Sequence, residues 1–164
     1  MNENGASAPA RKLAPQEVRA FFVTTSTWSR RTLFQTERMC DLMIDVLRFN
    51  REKNRFVLHE FVIMREHVHF LLTPAFEESL EKAVQYIKGG FSFRAKRELK
   101  FNGEIWQAGF NEHRITDVGD YKNHVTYIYE NPVKARLAES PEQYRYSSAS
   151  GLWEIDPAPE HLRG

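Results

Sequence analysis

Two histidines in the segment HVHFLL have the spacing of a metal site on a β-strand. Side chains alternate across a strand, so His67 and His69 share one face while Val68, Phe70 and Leu72 share the other and can fill a core. Two imidazoles on one face can bind one divalent cation, and a phosphate can supply further oxygen ligands. The alternative is a pair of surface histidines on the wet side of a sheet, and a third ligand is needed to decide.

A tyrosine in the last predicted helix offers a hydroxyl on the polar side of that helix. At about 100° per residue, one buried stripe contains Val118, Tyr121, Val125, Ile128 and Tyr129. The other side of the helix contains Asp120, His124, Tyr127 and Asn131. Tyr129 is therefore predicted to lie in the core, whereas Tyr127 faces whatever meets the polar side. An ordinary exposed tyrosine is the alternative.

Asn131 follows Tyr127 by one helical turn, so the two side chains can serve one site. Asn131 also precedes Pro132, a pair typical of an N-cap with proline at the first position of a new turn. The residue before a proline avoids helical angles, so the helix is expected to end or kink at Asn131. Capping and metal binding compete for the same amide.

The elements that must position these residues follow from apolar periodicity. The pattern predicts strands at 19–27, 55–64, 67–73 and 104–114. It predicts helices at 36–50, 79–99 and 117–130. The Gly89-Gly90 pair is expected to bend or loosen the second helix. The order β-α-β-β-α-β plus a final helix predicts an α+β protein, a ferredoxin-like split βαβ with an antiparallel sheet, whose added C-terminal helix carries the tyrosine.

The composition is that of a single soluble domain, with 164 residues, 41% of them apolar and 27% charged. No apolar run approaches the ~20 residues of a membrane-spanning helix. We expect a flexible arm at 1–17, one domain at 18–150 and a tail at 151–164. The single cysteine, Cys40, has no internal disulfide partner, and no apolar leader opens the sequence, so a reducing cytosol is the simplest location.

The charge is balanced overall but uneven along the chain. A net charge of +1 argues against an indiscriminate polyanion binder. The segment 86–100 nevertheless has five basic residues against one acidic residue, and a basic pair precedes the first helix. Such patches can bind phosphates, although a solvated helix face explains them as well. The candidate phosphate contacts are Arg30, Arg31, Lys88, Arg94, Lys96, Arg97 and Lys100.

Three segments in this order resemble the REP-associated tyrosine transposases, relatives of the small single-tyrosine insertion-sequence transposases of the HUH class. They are VIMREHVHFLLTP at 62–74, WQAGFNEHRI at 106–115, and YIYENPVKARL with PEQYRYSS between 127 and 148. The resemblance implies that His67 and His69 are metal ligands, that Tyr127 is the nucleophile and that Asn131 supplies a third polar ligand.

The resemblance further implies a metal-dependent endonuclease and strand transferase for single-stranded or hairpin DNA. Attack by Tyr127 with Mg²⁺ or Mn²⁺ bound would give a 5′-phosphotyrosine and a free 3′-OH. The implied setting is the bacterial cytoplasm, at the nucleoid when bound to DNA and away from membranes, as a monomer or homodimer. Exposed members of Phe91, Phe93 and Trp106 can stack bases, with core packing as the alternative for each.

Two other functions fit parts of the sequence. The first is a catalytically inactive protein with the same fold that binds a specific DNA hairpin. A nucleotide hydrolase of the histidine-triad type would need a third histidine where Leu71 stands. His124 lies one turn before Tyr127 and is a candidate base, although an ordinary surface histidine accounts for it equally well.

Overall fold

The computed structural model describes residues 18–164, so the predicted arm at 1–17 lies outside the described residues. The strands are β1 (Phe21–Ser26), β2 (Phe56–Ile63), β3 (His67–Pro74) and β4 (Asn111–Arg114). The α-helices are α1 (Glu37–Glu52), α2 (Leu80–Glu98) and α3 (Val118–Lys134). None of the helices in residues 18–164 is long and apolar enough to cross a bilayer.

The four strands form one antiparallel sheet in the order β2-β3-β1-β4. Sequential strands β2 and β3 pair through a tight turn, and β1 inserts between β3 and β4, which is the arrangement of a split βαβ. The predicted α+β fold is therefore confirmed. The register between β1 and β3 places Ser26 opposite His67 and Thr24 opposite His69.

The helices cover both faces of the sheet. Helices α1 and α2 pack on the face that carries Val68, Phe70 and Leu72, all fully buried in the larger core. Helix α3 covers the other face, where Tyr121 and Ile128 belong to a second buried cluster. The predicted alternation along β3 is confirmed, and it leaves the two histidines on the α3 side.

Helix α2 continues through Gly89 and Gly90, so the expected bend is wrong. Gly90 lies against α1, where an added Cβ would be 3.5 Å from Val46 Cγ1. The missing side chain therefore allows a close approach of the two helices. Tertiary packing of this kind outweighs the weak helix propensity of two glycines.

Helix α3 also continues past its predicted end, with Pro132 buried inside it. Asn131 is helical rather than an N-cap, and its backbone carbonyl accepts from Ala135 N at 3.1 Å. The Pro132 carbonyl accepts from Leu137 N at 2.8 Å. Hydrogen bonding thus resumes directly after the proline, and burial of its ring offsets the missing N–H.

Strand β4 is shorter than the predicted strand at 104–114, because pairing with β1 is confined to Asn111–Arg114 and an isolated bridge between Trp106 and Thr27. Residues 107–110, between these two points, form no ladder pair with β1. The aromatic content of the segment predicts a strand, but Trp106 serves the core packing instead, where it contacts Phe34 and Phe91.

The segment after residue 150 lies along the outer edge of β2. Asp156 N donates to Leu58 O at 2.7 Å, and the Asp156 carboxylate forms an ion pair with Arg51 at 2.8 Å. Leu162 is buried in the second cluster. The division of the chain at residues 17 and 150 stays a prediction.

Candidate active site

The fold brings His67, His69 and Tyr127 together within one chain. The two imidazole ring centroids on β3 are 4.6 Å apart. The ring of Tyr127, from α3, meets the ring of His69 nearly edge-on at 5.3 Å between centroids. At this spacing one phosphate group can contact the phenol and both imidazoles.

His69 is built to present one nitrogen to a ligand. Its Nδ1 lies 2.8 Å from Thr24 Oγ1, whereas its Nε2 is buried and has no hydrogen-bond partner in residues 18–164. Burial, with the nearby His67, lowers the pKa of His69 to about 3, so the imidazole is neutral near neutral pH. A neutral histidine held through one nitrogen is the form that binds a metal ion through the other.

His67 is held from the side of the β2–β3 turn. Its Nδ1 lies 3.1 Å from Glu66 Oε1, and the same carboxylate oxygen lies 3.5 Å from the Arg30 guanidinium. A carboxylate behind a histidine fixes its orientation and strengthens it as a ligand. Arg30 therefore lies beside the histidine pair while its side chain remains largely exposed.

Tyr127 has an exposed side chain, and its hydroxyl makes no hydrogen bond within residues 18–164. Its ring packs at 5.7 Å against Phe22, which also stacks on His69. Tyr129, in contrast, donates its hydroxyl to Glu60 at 2.8 Å, and burial raises the pKa of Tyr129. The helical phase thus predicts correctly which of the two tyrosines is accessible.

Phe22 and Thr24 are site residues that sequence reasoning missed. Both lie on the same face of β1, as the alternation of a strand requires. Only the pairing register between β1 and β3 places that face beside His69. The alternation can be predicted from the sequence, but the register between the two strands cannot.

Asn131 lies one turn after Tyr127, and its side-chain Nδ2 is 3.4 Å from the Tyr127 carbonyl oxygen. Within the described part of the chain, the Asn131 side chain makes this one hydrogen bond, which directs its amide along the helix. No ring or hydrogen-bond contact joins Asn131 to the histidines in residues 18–164. Its role as a third ligand stays a prediction.

A second polar cluster joins β4 to α3 beside Tyr127. Asp120 Oδ2 lies 2.8 Å from His113 Nε2, and Asp120 Oδ1 lies 3.1 Å from His124 Nδ1. Burial acts to raise the Asp120 pKa, but hydrogen bonds from Thr116 and His113 outweigh it and lower the pKa overall. His124 packs on Phe22 at 4.7 Å. The cluster therefore fixes the phase of α3, and its three ligand atoms are close enough to hold a divalent ion.

The predicted phosphate contacts fall into distinct settings. Lys88 donates to two loop carbonyls, Arg94 pairs with Glu98, and Arg31 donates to the Glu104 carbonyl. Lys96, Arg97 and Lys100 are exposed at the end of α2 and just after it. Helix α2 covers the sheet face opposite to the histidines. Among these seven residues, Arg30 is the one that lies beside the histidine pair, through its ion pair with Glu66. Contact of any of these residues with DNA stays a prediction.

The three candidate stacking residues also separate. Phe91 is fully buried in the larger core, which confirms the alternative of core packing. Trp106 is partly buried, and its indole nitrogen donates to the Lys88 carbonyl at 3.0 Å. Phe93 is 63% exposed, with the Arg97 guanidinium 5.9 Å above its ring. Of the three, Phe93 has the exposure that base stacking requires.

The fold and the site together define an α+β protein whose split βαβ sheet presents a histidine pair to a tyrosine on α3. Residues 19–131 match the sequence profile of the family described as "Transposase IS200 like", and the chain belongs to this family. The resemblance noted from the sequence is thereby confirmed.

Individual relatives agree with this assignment. The chain is 29% identical over 153 residues to a REP-associated tyrosine transposase of Escherichia coli, covering 85% of this chain and 89% of the relative. A solved structure of a REP-associated tyrosine transposase bound to a REP hairpin superposes with a TM-score of 0.65 at 26% identity, covering 96% of this chain and 94% of the other. A structure from Deinococcus radiodurans, with a TM-score of 0.55 at 17% identity over 76% of this chain and 97% of the other, supports the fold alone.

Proposed function

We propose that the protein is a metal-dependent single-strand DNA endonuclease and strand transferase that cleaves beside hairpin DNA through Tyr127. The observation that carries the proposal is the contact between this exposed phenol, whose hydroxyl is unpaired in residues 18–164, and His69, whose buried Nε2 has no partner there. Family membership supplies the class of reaction, which is transposition of DNA.

The histidine pair fits a divalent cation. A buried imidazole nitrogen without a partner is costly, so the unpaired Nε2 of His69 indicates a ligand at this position. His67 and His69 would hold Mg²⁺ or Mn²⁺, with Asn131 as the third ligand in our proposal. When bound there, such an ion would polarise the non-bridging phosphate oxygens and orient the phosphate for in-line attack.

Tyr127 supplies the nucleophile in this proposal. Its hydroxyl oxygen forms a bond to the phosphorus while the bond from phosphorus to the 3′-oxygen breaks, and the phenolic proton is lost to solvent as the leaving oxygen gains one. The products are a 5′-phosphotyrosine and a free 3′-OH. Because one phosphodiester replaces another, a second 3′-OH can reverse the step without an external energy source.

Single-stranded or hairpin DNA is the proposed substrate. The similar solved structure is described as bound to a REP hairpin. Arg30 lies beside the site, and Lys96, Arg97 and Lys100 are candidate phosphate contacts on the other side of the molecule. We further propose that the protein acts in the bacterial cytoplasm, where the chromosome is found.

A labelled hairpin with single-stranded flanks, taken from DNA beside the gene, tests the proposal. With Mn²⁺ or Mg²⁺, a 3′-end label should move with the protein on a denaturing gel, and a 5′-end label should appear in a shorter free strand. Tyr127→Phe should abolish the adduct and leave binding nearly intact. Tyr129→Phe, the matched control, should still form it.

Two outcomes would contradict the proposal. An adduct that persists in Tyr127→Phe would show that another residue is the nucleophile. A native-gel complex of the wild type without any adduct, across a range of Mg²⁺ and Mn²⁺ concentrations, would favour the catalytically inactive hairpin-binding protein.

A further inference from the structure

A polar pocket of about 280 Å³ lies between β1 and the loop before β4. It is lined by Thr24 and Ser26 on one side and by residues 107–111 on the other. None of these lining residues is charged. The pocket is distinct from the histidine pair, but Thr24 borders both, since its hydroxyl lies 2.8 Å from His69 Nδ1.

The pocket exists because the ladder between β1 and β4 is interrupted. Thr24 pairs with Asn111, and Thr27 forms a bridge with Trp106. Between these points β1 has two residues, 25–26, whereas the partner segment has four, 107–110. The two extra residues form a bulge, and Gly109 takes a left-handed φ of +75° within it. Bulges beside active sites commonly aim side chains at a ligand.

Lys88 holds the bulge in place from α2. Its ammonium donates to Gln107 O at 3.0 Å and to Gly109 O at 2.6 Å, and burial lowers its pKa. Gln107 N in turn donates to Ser26 O at 2.9 Å. The loop backbone is therefore fixed before any ligand arrives, which reduces the entropic cost of binding.

The pocket and the histidines share one face of the sheet. Directly paired residues project to the same side, so the register places His69, Thr24 and Asn111 in one row across β3, β1 and β4. Neighbouring strands are about 4.8 Å apart, so the row spans roughly 10 Å. A DNA strand with a phosphate at the histidines can place an adjacent nucleotide over the pocket.

The chemistry of the lining favours a base over a phosphate. The side-chain amides of Gln107 and Asn111 are exposed and make no hydrogen bond within residues 18–164. An amide offers both a donor and an acceptor, which matches the edge of a nucleobase and above all adenine. The nearby cation, Lys88, already donates hydrogen bonds to two backbone carbonyls, so it has little capacity left to bind a phosphate.

We propose that this pocket binds one nucleobase of the DNA strand next to the scissile phosphate, and that Gln107 and Asn111 read its edge. The inference rests on the proposed function and adds a specificity determinant to it. Lys88 acts as a positioning residue that keeps the bulge in its binding geometry.

A base panel tests the reading residues. Oligonucleotides with each of the four bases at each position flanking the cleavage site are compared for rate of adduct formation and for affinity by fluorescence anisotropy. Gln107→Ala or Asn111→Ala should reduce discrimination at one position by about tenfold or more. The rate with the least favoured base should change little. Gln85→Ala, an exposed amide on α2, is the matched control and should leave discrimination unchanged.

Unchanged discrimination at every position in both variants would overturn the proposal. The affinity measurement separates this failure from failure of the proposed function. If the wild type forms no adduct, the function is wrong as proposed, while the base preference in binding still decides whether the pocket reads a base.

Lys88→Met distinguishes positioning from phosphate contact. A positioning role predicts a loss of base discrimination with the salt dependence of binding unchanged. A phosphate contact predicts uniformly weaker binding to all sequences and a salt slope smaller by about one. The second result would overturn the role assigned to Lys88, and circular dichroism of the variant checks that the fold is retained.

Discussion

His69 has a fixed ring orientation and one ring nitrogen that is available to a ligand. Thr24 Oγ1 occupies Nδ1 at 2.8 Å, which leaves Nε2 for a ligand. The hydroxyl that orients the ring comes from a residue 45 positions earlier in the chain. The ligand geometry is therefore a property of the β1–β3 pairing as much as of β3.

Thr24→Val removes the oxygen that faces His69 Nδ1 and keeps the shape of the side chain. We expect a 10- to 100-fold higher Mn²⁺ concentration for half-maximal adduct formation, because partners of metal ligands affect affinity on this scale. A titration of Mn²⁺ against adduct yield measures this. Thr126→Val, on the exposed side of α3, is the control, and an equal shift in both variants would argue against the role of Thr24.

The sequence predicts individual site residues well where local periodicity decides. Alternation places His67 and His69 on one face, and helical phase separates Tyr127 from Tyr129. Local periodicity does not predict Phe22 or His113 as site residues, because strand pairing and the packing of α3 on β4 bring them to the site. Long-range register is not encoded in any local pattern.

At the scale of elements, the differences from expectation occur at glycine, proline and the bulge. Gly90 and Pro132 predict interruptions, and both lie in continuous helices because packing compensates for them. The bulge at 107–110 arises from a mismatch of two residues between paired segments. Strand propensity of the segment cannot reveal such a mismatch, since it depends on the partner strand.

Gly89→Ala should stabilise α2. Gly89 is exposed, and an added Cβ would meet no atom within 4 Å. Replacement of a helical glycine by alanine lowers the entropy of the unfolded chain, so we expect a gain of about 0.5–1 kcal/mol in the free energy of unfolding. Urea denaturation measures it.

Gly103→Ala is the contrasting substitution, because Gly103 has a φ of +103° that an alanine adopts only with strain. It should lower the free energy of unfolding. A stability loss in Gly89→Ala as well would contradict a regular helix at that point.

At the scale of the whole molecule, His59 joins the C-terminal segment to the sheet. Its Nδ1 lies 2.9 Å from Pro157 O and its Nε2 lies 2.8 Å from Thr73 Oγ1. Burial lowers the pKa of His59, although the Pro157 carbonyl partly opposes this. The folded protein therefore favours the neutral ring, which is a source of pH-dependent stability.

The sign of the pH effect follows from the lowered pKa. Stability from neutral His59 is present above the unfolded pKa of about 6.5 and is lost as the pH falls. Between pH 7.5 and pH 5.5 the free energy of unfolding should therefore fall, because the histidine gains a proton more readily in the unfolded chain than in the folded protein. Urea denaturation at both values, with His59→Gln as the comparison, measures it. Equal pH dependence in both proteins would contradict this role.

The histidines and the tyrosine of the candidate site come from one chain, so the active site should be complete in a monomer. A mixture of Tyr127→Phe and His69→Ala should form no adduct, since neither chain holds both groups. Recovery of adduct on mixing would instead show sites shared between subunits. Light scattering of the mixture gives the oligomeric state in which the result was obtained.

The order of elements has a consequence for biosynthesis. All four strands and both helices of the larger core precede residue 115, and α3 begins at Val118. During translation the chain can assemble most of its larger core, which Tyr146 completes later, while the segment with Tyr127 is still inside the ribosome. The reactive hydroxyl then joins imidazoles that are already ordered, so a nascent chain that stalls before α3 would hold the histidines without the means to cut DNA.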